Sequence, residues 1–461
     1  MDILQLTPGA GNMYCGNCLR DNALVGALRA LGHQVLMVPL YLPLTLDETD
    51  QSAGTPIFFG GINVYLEQKS AFFRSAPRWL HNLLSSASLL KWAAGRAGNT
   101  RADSLGALTL SMLRGEDGNQ ARELEDLIVW LKTQPRPNVI FLSNALLLGM
   151  TRRLKDELDR PVVCMLQGED YFLDSLSEPH RTACWEALAE RSRNADMFVA
   201  PSRYFADLMQ ARLKLPSDQV KVIYNGINLE GYSAGPAEKG GNAKSFSETK
   251  RTTHPPSLIP HPSPVLGYFA RMCQEKGLDI LVEAFIQLRE RGRIAGLKLC
   301  IAGSLGPADE PFVTRLRERL ETAGLSKDVE FHPNVDRATK LALLESFSVF
   351  SVPARYGEAF GLYVIEALAA GVPVVQPRTA AFPELVELTT GGILYEPNNS
   401  KPLAEAIESL LLEPGRAPTL GAAGRRAIFE KFSAEAMARN VAESIKSLGH
   451  KPREQASLIG R

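Results

Sequence analysis

The sequence predicts an α/β protein built from two doubly wound halves. Short apolar runs rich in β-branched residues alternate with helical patterns in the first half of the chain. A stretch poor in large apolar residues, 233–264, interrupts this alternation, which then restarts. The 461 residues are enough for two or three domains, and the composition of 45% hydrophobic and 22% charged residues is that of a globular protein.

The first half contains six predicted strands. The first, residues 2–6, precedes a glycine-rich turn and a helix over about 18–31, and the second, residues 34–40, follows the Gly32-His33 turn. The other strands are 139–143, 162–166, 197–200 and 220–223. Strands that alternate with helices in this way pair in parallel, each helix crossing over to the next strand.

Residues 79–94 repeat their apolar side chains at helical spacing. Two interpretations are open for this stretch. It is either one or two core helices, or a lid or acceptor wall that also contacts a lipid surface.

The interrupting stretch contains six prolines and three glycines and predicts a flexible linker. Beyond it, strands are predicted at 265–269, 297–302, 329–331, 349–352 and 372–376, and a helix at 433–448. We therefore predict a first domain over 1–232, the linker over 233–264, a second domain over 265–432, and a C-terminal helix and tail over 433–461. We expect that helix to return to the first domain.

An amphipathic helix follows the first strand of the second half. Its apolar residues recur at i, i+3, i+4, i+7 and i+10, namely Leu278, Leu281, Val282, Phe285 and Leu288. Ligands of doubly wound sheets bind at the carboxyl ends of the strands, so we expect the site between the two halves.

Composition excludes some classes of function. The 51 basic and 51 acidic residues balance, which argues against a protein that wraps nucleic acid. The sequence has no run of eighteen apolar residues, and its start lacks the pattern of a signal peptide. With six cysteines in a chain of this length we expect reduced thiols and a cytoplasmic location.

The segment 356–375 is the most informative part of the sequence. In it Glu358 and Glu366 are separated by seven residues. Glu358 precedes a turn at Gly361, and Glu366 lies on the helix that follows. Backbone amides at the start of such a helix suit an anion, and a carboxylate can accept both ribose hydroxyls of a nucleotide.

These residues resemble the retaining glycosyltransferases of the GT-B fold, family four (glycosyl transferases group 1). The resemblance implies two Rossmann-like domains facing across a cleft. It implies that Glu366 binds the donor ribose and that Glu358 is a catalytic residue against the donor sugar. It further implies that the backbone amides of four consecutive residues contact the sugar and phosphate of the donor, namely Phe360, Gly361, Leu362 and Tyr363.

The segment 267–277 resembles the glycine-flanked Arg/Lys turn of the same family. There Arg271 and Lys276 would stabilise the leaving diphosphate as catalytic cations. Since the family generally uses such cations in place of a metal ion, we expect no metal and no cofactor besides the nucleotide sugar, which is the donor substrate. Gly303, in a turn after the next strand, is a donor contact or a plain tight turn.

The N-terminal loop and two strand ends supply the remaining candidates. In the family the loop around Gly11 and Gly16 approaches the donor. Cys15 and Cys18 in that loop suit packing better than redox chemistry or zinc. Gln167 stands where most members have His; it can hydrogen-bond a sugar but cannot titrate. The other predicted sugar or acceptor contacts are Glu169, Asp170, Ser202 and Arg203, with a helix N-cap as the alternative for Asp170.

We therefore predict a retaining, metal-independent transfer of a hexose from a nucleoside-diphosphate sugar to a hydroxyl of a carbohydrate or lipid-linked acceptor. The alternatives are a nucleotide-sugar epimerase or a non-catalytic nucleotide-sugar-binding subunit of the same fold. No nucleic-acid partner is expected, and peripheral contact with the inner face of a membrane stays open. His332, after a strand of the second half, has no assigned role.

Overall fold

The structure is a computed structural model that describes residues 1–9, 16–59, 102–232, 263–446 and 448. Gly11, Cys15, the stretch 79–94 and all but the last two residues of the predicted linker lie outside these ranges. The chain divides into two units. The first comprises Met1–Gly226 and Ala434–Arg461, and the second comprises Ile227–Ser433.

The first unit contains a parallel six-stranded sheet in the order β2-β1-β3-β4-β5-β6. Its strands are β1 Asp2–Thr7, β2 Gln34–Pro39, β3 Val139–Leu142, β4 Val162–Met165, β5 Met197–Ala200 and β6 Val220–Val222. The inner strands β3, β4 and β5 are buried along their whole length, as expected for a parallel sheet covered on both faces. All six strands fall where the sequence predicts them.

Helices connect these strands. They are α1 Gly16–Ala30, α2 Ala102–Arg114, α3 Ala121–Leu131, α4 Thr151–Leu158, α5 Glu169–Asp174, α6 His180–Ser192 and α7 Arg203–Leu213. Ser202 caps α7, because its side chain accepts a hydrogen bond from the amide of Phe205 at 3.1 Å.

The second unit repeats this architecture with the strand order β12-β11-β10-β7-β8-β9, again all parallel. Its strands are β7 Val265–Phe269, β8 Lys298–Gly303, β9 Val329–Pro333, β10 Val349–Phe350, β11 Val374–Pro377 and β12 Gly392–Tyr395. The sequence did not predict β12. His332 lies within β9 rather than after it.

Seven helices of the second unit follow in chain order. They are α8 Leu278–Arg291, α9 Glu310–Thr322, α10 Arg337–Ser346, α11 Leu362–Ala369, α12 Phe382–Thr389, α13 Ser400–Leu412 and α14 Arg416–Lys431. The apolar stripe predicted for α8 is buried along its length, so the periodicity identified the core face of that helix.

The last helix, α15 Ala434–Lys446, packs into the first unit. Its buried face consists of Met437, Val441 and Ile445, four residues apart, while Glu435 and Arg439 are exposed. These side chains join the same hydrophobic core as α1 and the strands β1 to β5. Among the described residues no helix is both long enough and apolar enough to cross a bilayer.

Candidate functional site

The strand order of the second unit places its candidate site at one point of the sheet. β7 lies between β8 and β10. The chain passes from β7 to β8 and β9 on one side of the sheet, and later adds β10, β11 and β12 on the other side. At such a reversal the loops beyond the strand ends diverge and leave a crevice. Lys276 follows β7 and Glu358 follows β10, which brings both residues to this crevice.

Lys276 and Glu358 form a direct ion pair. The Lys276 ammonium donates to Glu358 Oε1 and to the Tyr356 hydroxyl, and Tyr356 in turn donates to Glu358 Oε1 at 2.7 Å. The Lys276 and Glu358 side chains are 18% and 11% exposed, so the pair is largely shielded from solvent. The predicted catalytic cation and the predicted catalytic carboxylate therefore hold each other in place.

Two tyrosine rings surround the Lys276 ammonium. It lies 4.9 Å from the centroid of the Tyr356 ring and 5.2 Å from that of Tyr363, distances that favour a cation–π attraction. Burial raises the pKa of the Tyr363 hydroxyl well above its usual range, and the Glu358 charge adds to the rise. Tyr363 therefore keeps its proton, and its buried hydroxyl has no hydrogen-bond partner among the described residues.

The N-terminus of α11 supplies amides at the same crevice. Gly361 precedes the helix with φ of +97°, in the left-handed region, and as glycine it has no side chain with which to cap the helix. Val364 is the first residue whose amide bonds back, to the Gly361 carbonyl at 3.0 Å. The Phe360 side chain is buried, 6.2 Å from the Phe432 ring, so Phe360 can offer a ligand only its backbone.

Glu366, one turn after Tyr363 on α11, pairs with a lysine that the sequence analysis missed. The ammonium of Lys340, on α10, lies 3.0 Å from Glu366 Oε1, and both side chains are shielded, at 6% and 15% exposure. The Lys340 ammonium also lies 6.0 Å from the centroid of the Phe269 ring at the end of β7. The one signal in the sequence is a lysine on the core-facing side of an otherwise apolar helical stripe.

Arg271 is placed differently from Lys276. Its side chain is half exposed, and its Nε donates to Asp309 at 3.1 Å, with a longer contact to Glu275 at 3.5 Å. The turn at Gly303 packs against the backbone that carries Arg271, since the Met272 amide donates to the Ser304 carbonyl at 2.9 Å. A Cβ at position 303 would lie 1.9 Å from the Ala270 carbonyl oxygen, so only glycine fits there.

In the first unit, the predicted sugar and acceptor contacts lie beyond the neighbouring strands β4 and β5. Gln167 follows β4, and its Oε1 accepts a long hydrogen bond, 3.4 Å, from the side-chain amide Nδ2 of Asn225, which lies beyond β6. Asn225 is buried and is followed by Gly226, a pair typical of turns, and the sequence analysis did not assign it to the site.

Both oxygens of the Glu169 carboxylate already have backbone partners. They accept from the amides of Ala145 at 2.7 Å, Gln167 at 2.9 Å and Gly168 at 3.0 Å. Burial raises the pKa of Glu169, against the lowering effect of these amides. In this structure Glu169 fastens the turn that carries Gln167, and its predicted contact with an acceptor stays a prediction.

Asp170 is less satisfied. Its Oδ1 is buried without a hydrogen-bond partner among the described residues, and burial raises its pKa, against the amide of Tyr171. Ser202 is buried as the cap of α7, whereas Arg203 is exposed. The structure thus places all five predicted acceptor contacts at the carboxyl edge of the first sheet, with Asp170 as the one whose carboxylate oxygen is buried and unpaired.

Gly16 begins α1 beyond β1, above a buried ion pair that no motif predicted. Arg20 and Asp21 have fully buried side chains 3.1 Å apart. Arg20 donates to the Ser143 carbonyl at 2.8 Å, and Asp21 accepts from Thr7 at 2.8 Å, so the pair ties α1 to the ends of β1 and β3. Burial raises the pKa of Asp21, against the Arg20 charge. Cys18 is buried, as the packing interpretation requires.

Two family models match the chain. The model described as Glycosyl transferases group 1 matches residues 249–427, and the model described as Glycosyltransferase Family 4 matches residues 110–230. The first match contains Lys276, Glu358 and Glu366, and the second contains Gln167 to Asp170.

Curated relatives match at low identity. The GDP-mannose-dependent alpha-(1-6)-phosphatidylinositol monomannoside mannosyltransferase of Mycobacterium tuberculosis is 25% identical over 237 residues, 50% of this chain and 57% of that protein. The D-inositol 3-phosphate glycosyltransferase of Corynebacterium jeikeium is 26% identical over 286 residues, 61% and 64% of the two chains. The chain therefore matches between half and two thirds of the length of these relatives.

Solved structures resemble nearly the whole chain. Sucrose-phosphate synthase from Thermosynechococcus elongatus has a TM-score of 0.65 at 20% identity, covering 97% of this chain and 99% of that one. Anabaena Alr3699/HepE in complex with UDP and glucose has a TM-score of 0.64 at 18% identity, covering 97% and 100%. At this identity the likeness establishes a shared fold.

Proposed function

The chain belongs to the group 1 family of glycosyltransferases and has their GT-B fold, and from this premise we propose that it transfers a hexose from a nucleoside-diphosphate sugar to a hydroxyl acceptor. The transfer retains the configuration of the sugar and needs no metal ion. The observation that carries the proposal is the meeting of Lys276, Glu358 and the start of α11 at the crevice beside β7 and β10.

The nucleotide binds through Glu366 and the amides of α11. The Glu366 carboxylate accepts the two ribose hydroxyls, and its pairing with Lys340 fixes the carboxylate for this role. The uncapped amides of Leu362 and Tyr363 meet the phosphates, because the N-terminus of a helix favours an anion.

Two cations stabilise the leaving diphosphate. Lys276 is already held between Tyr356 and Glu358, and Arg271 is held by Asp309 until the diphosphate offers it a better partner. Positive charge from these side chains takes the place of a metal ion in neutralising the phosphate oxygens.

The reaction keeps both bond changes on one face of the sugar. The bond between the anomeric carbon and the phosphate oxygen breaks, and the acceptor oxygen bonds to the same carbon from the same face. The acceptor proton passes to the departing phosphate oxygen, so no titrating side chain is required, in keeping with Gln167 at the position where most family members have His. Glu358 holds Lys276 and contacts the sugar.

The acceptor is a carbohydrate or lipid-linked hydroxyl bound by the first unit, at Gln167, Asp170 and Arg203. The relatives named above carry GDP-mannose, phosphatidylinositol monomannoside and D-inositol 3-phosphate in their names, and the structural neighbour HepE binds UDP and glucose. These names define the first compounds to test with this chain.

The proposal is tested by a thermal-shift screen against UDP, GDP, ADP and their common hexose conjugates. A nucleotide that binds the folded state raises its melting temperature by mass action. We expect one base to shift the parent and Glu387→Ala, in which an exposed carboxylate on α12 is removed, but not Glu366→Ala. Each lost hydrogen bond to a charged acceptor costs about 1.5–3 kcal/mol. Equal shifts in all three proteins would contradict the assignment of Glu366.

Turnover then separates transfer from the alternatives. A transferase releases nucleoside diphosphate only when an acceptor is present, whereas an epimerase changes the donor sugar and a binding subunit releases nothing. Nuclear magnetic resonance of the product gives its anomeric configuration, and inversion would overturn the retaining mechanism. A loss of transfer in chelator that added Mg²⁺ or Mn²⁺ restores would overturn metal independence.

A further inference from the structure

Three potential metal ligands lie on one face of the sheet edge in the second unit. Cys300 of β8 and Glu330 of β9 are register partners, and His332 is two residues further along β9. Because side chains two apart on a strand share a face, all three point to the same side. β9 is the outermost strand of this sheet. Cys300 is buried in the core, Glu330 is exposed and His332 is half-buried, and none of the three belongs to the donor site described above.

The distances suit a tetrahedral metal ion. His332 Nε2 and Glu330 Oε2 are 3.1 Å apart, and two such ligands at about 2.0 Å from zinc lie about 3.3 Å from each other. One ligand atom of each residue lies within 4.8 Å of the others, against about 3.6 Å needed between a zinc-bound sulfur and its neighbours. A side-chain adjustment of about one ångström would complete the set.

We propose that Cys300, Glu330 and His332 bind a Zn²⁺ ion, with water as the fourth ligand. Thiolate, imidazole and carboxylate are the side chains that zinc takes, and the combination of one of each disfavours the hard cations Mg²⁺ and Ca²⁺. A cavity of about 20 Å³ beside Cys300 and Glu330 has room for one water molecule. This site differs from the expectation of no metal and has no part in the transfer reaction.

Binding of the metal would displace the proton of the Cys300 thiol. Burial, and then the Glu330 charge, raises the pKa of the Cys300 thiol to about 12, so zinc must displace the thiol proton, which leaves to solvent.

The bound ion would fasten the edge strand next to the donor site. Cys300 lies three residues before Gly303 on β8, and the amide of Asn334, just beyond β9, donates to the Gly303 carbonyl at 2.8 Å. A clamp between β8 and β9 therefore supports the Gly303 turn. The measurable consequence is a higher melting temperature of the full chain with Zn²⁺.

The test is a Co²⁺ titration of the metal-free full chain under a non-thiol reductant. Co²⁺ reports a thiolate ligand through a charge-transfer absorption band. We expect a band that saturates at one equivalent, disappears on addition of Zn²⁺, and survives in Cys184→Ser, in which a buried thiol of the first unit is removed. The band should be lost in Cys300→Ser. In Glu330→Gln binding should weaken by more than about tenfold, the least that losing even an outer-shell partner costs.

His332→Ala keeps the test decisive if Cys300→Ser does not fold, because His332 is partly exposed and its removal leaves the strand intact. Loss of the Co²⁺ band and of the Zn²⁺ thermal shift in His332→Ala, with both kept in His33→Ala, supports the site. A parent protein that binds no more Co²⁺ than the Cys300→Ser/His332→Ala double variant overturns it, and so does a band that persists in His332→Ala. Neither outcome depends on glycosyl transfer.

Discussion

Lys340 and Glu366 compensate each other's charge inside the second unit, and their separation should be costly. In Lys340→Met the Glu366 carboxylate keeps its shielded position without a cation. Removing one member of a buried pair destabilises by about 3–5 kcal/mol, whereas replacing both members is often neutral. We expect this loss in urea unfolding of the single variant and its recovery in Lys340→Met/Glu366→Gln. A double variant no more stable than the single one would show that the pair is not coupled.

The Asp170 carboxylate should lower the free energy of unfolding by an amount that depends on pH. Its folded pKa is raised above the unfolded value of 3.8, so the folded state retains the proton longer and stability falls as pH rises through that interval. In Asp170→Asn this loss is absent. The variant should match the parent below pH 3.8. Its advantage should then grow by about 1.4 kcal/mol per pH unit until the pH reaches the folded pKa, and stay constant above it.

The same variant should transfer sugar more slowly if Asp170 contacts the acceptor. Urea unfolding from pH 3 to 8 and transfer rates at pH 7 measure the two effects. A variant less stable than the parent across the whole range would mean that the carboxylate has a structural role instead.

Motifs predicted residues that lie close together in sequence, and missed partners that come from elsewhere. Glu358, Glu366 and Lys276 were predicted because each belongs to a contiguous pattern of glycines and charges. The pairing of Lys276 with Glu358, 82 positions apart, depends on β7 and β10 being neighbours, which no local pattern specifies. Lys340 and Asn225 were missed for the same reason, since one looks like an ordinary helical lysine and the other like a turn residue.

At the scale of elements, the two ends of α8 provide a matched pair of glycines. Gly277 caps its start with φ of +69° and Gly292 its end with φ of +63°, so alanine pays a similar backbone penalty at both, about 1–2 kcal/mol. A Cβ at 277 would also lie 1.9 Å from the Pro353 carbonyl oxygen, while a Cβ at 292 meets open space.

We therefore expect Gly277→Ala to cost about 1–3 kcal/mol more than Gly292→Ala in chemical denaturation. Because Gly277 follows Lys276, Gly277→Ala should also weaken nucleotide binding, whereas Gly292→Ala should bind the nucleotide as tightly as the parent. Equal losses of stability in the two variants would mean that the loop after β10, which contains Pro353, moves aside at no cost in free energy.

Strands were predicted where their side chains are buried and β-branched, and β12 shows the limit of that signal. It begins at Gly392, directly after two threonines and Gly391, and three of its four residues are only partly buried. The edge strands β6 and β9 also have exposed residues, but each begins with valine and was predicted. β12 begins with glycine, which is disfavoured in strands. The helix α8 was predicted because its apolar stripe extends over several turns.

At the scale of the whole molecule, α15 makes the stability of the first unit depend on the end of the chain. Met437 is buried in the core of that unit, with its sulfur 3.3 Å from the Gly226 amide. Met437→Ala should destabilise by about 2–5 kcal/mol, and Arg439→Ala on the exposed face by less than about 0.5 kcal/mol.

Hydrogen exchange shows which of the two units Met437→Ala destabilises. In Met437→Ala the amides of β1 to β5 should exchange faster, and those of β7 to β11 should keep the rates of the parent. Faster exchange confined to the second sheet would contradict the placement of α15.

The second unit begins and ends at one point, because Ile227 and Ser433 form a parallel bridge and the Ile227 amide donates to the Phe432 carbonyl at 3.0 Å. Both boundaries of residues 227–433 are thus about one strand spacing apart. In evolutionary terms the second unit has the form of a domain inserted into the first. Recombination at two neighbouring junctions could exchange the whole second unit for another, while the first unit keeps every strand of its own core.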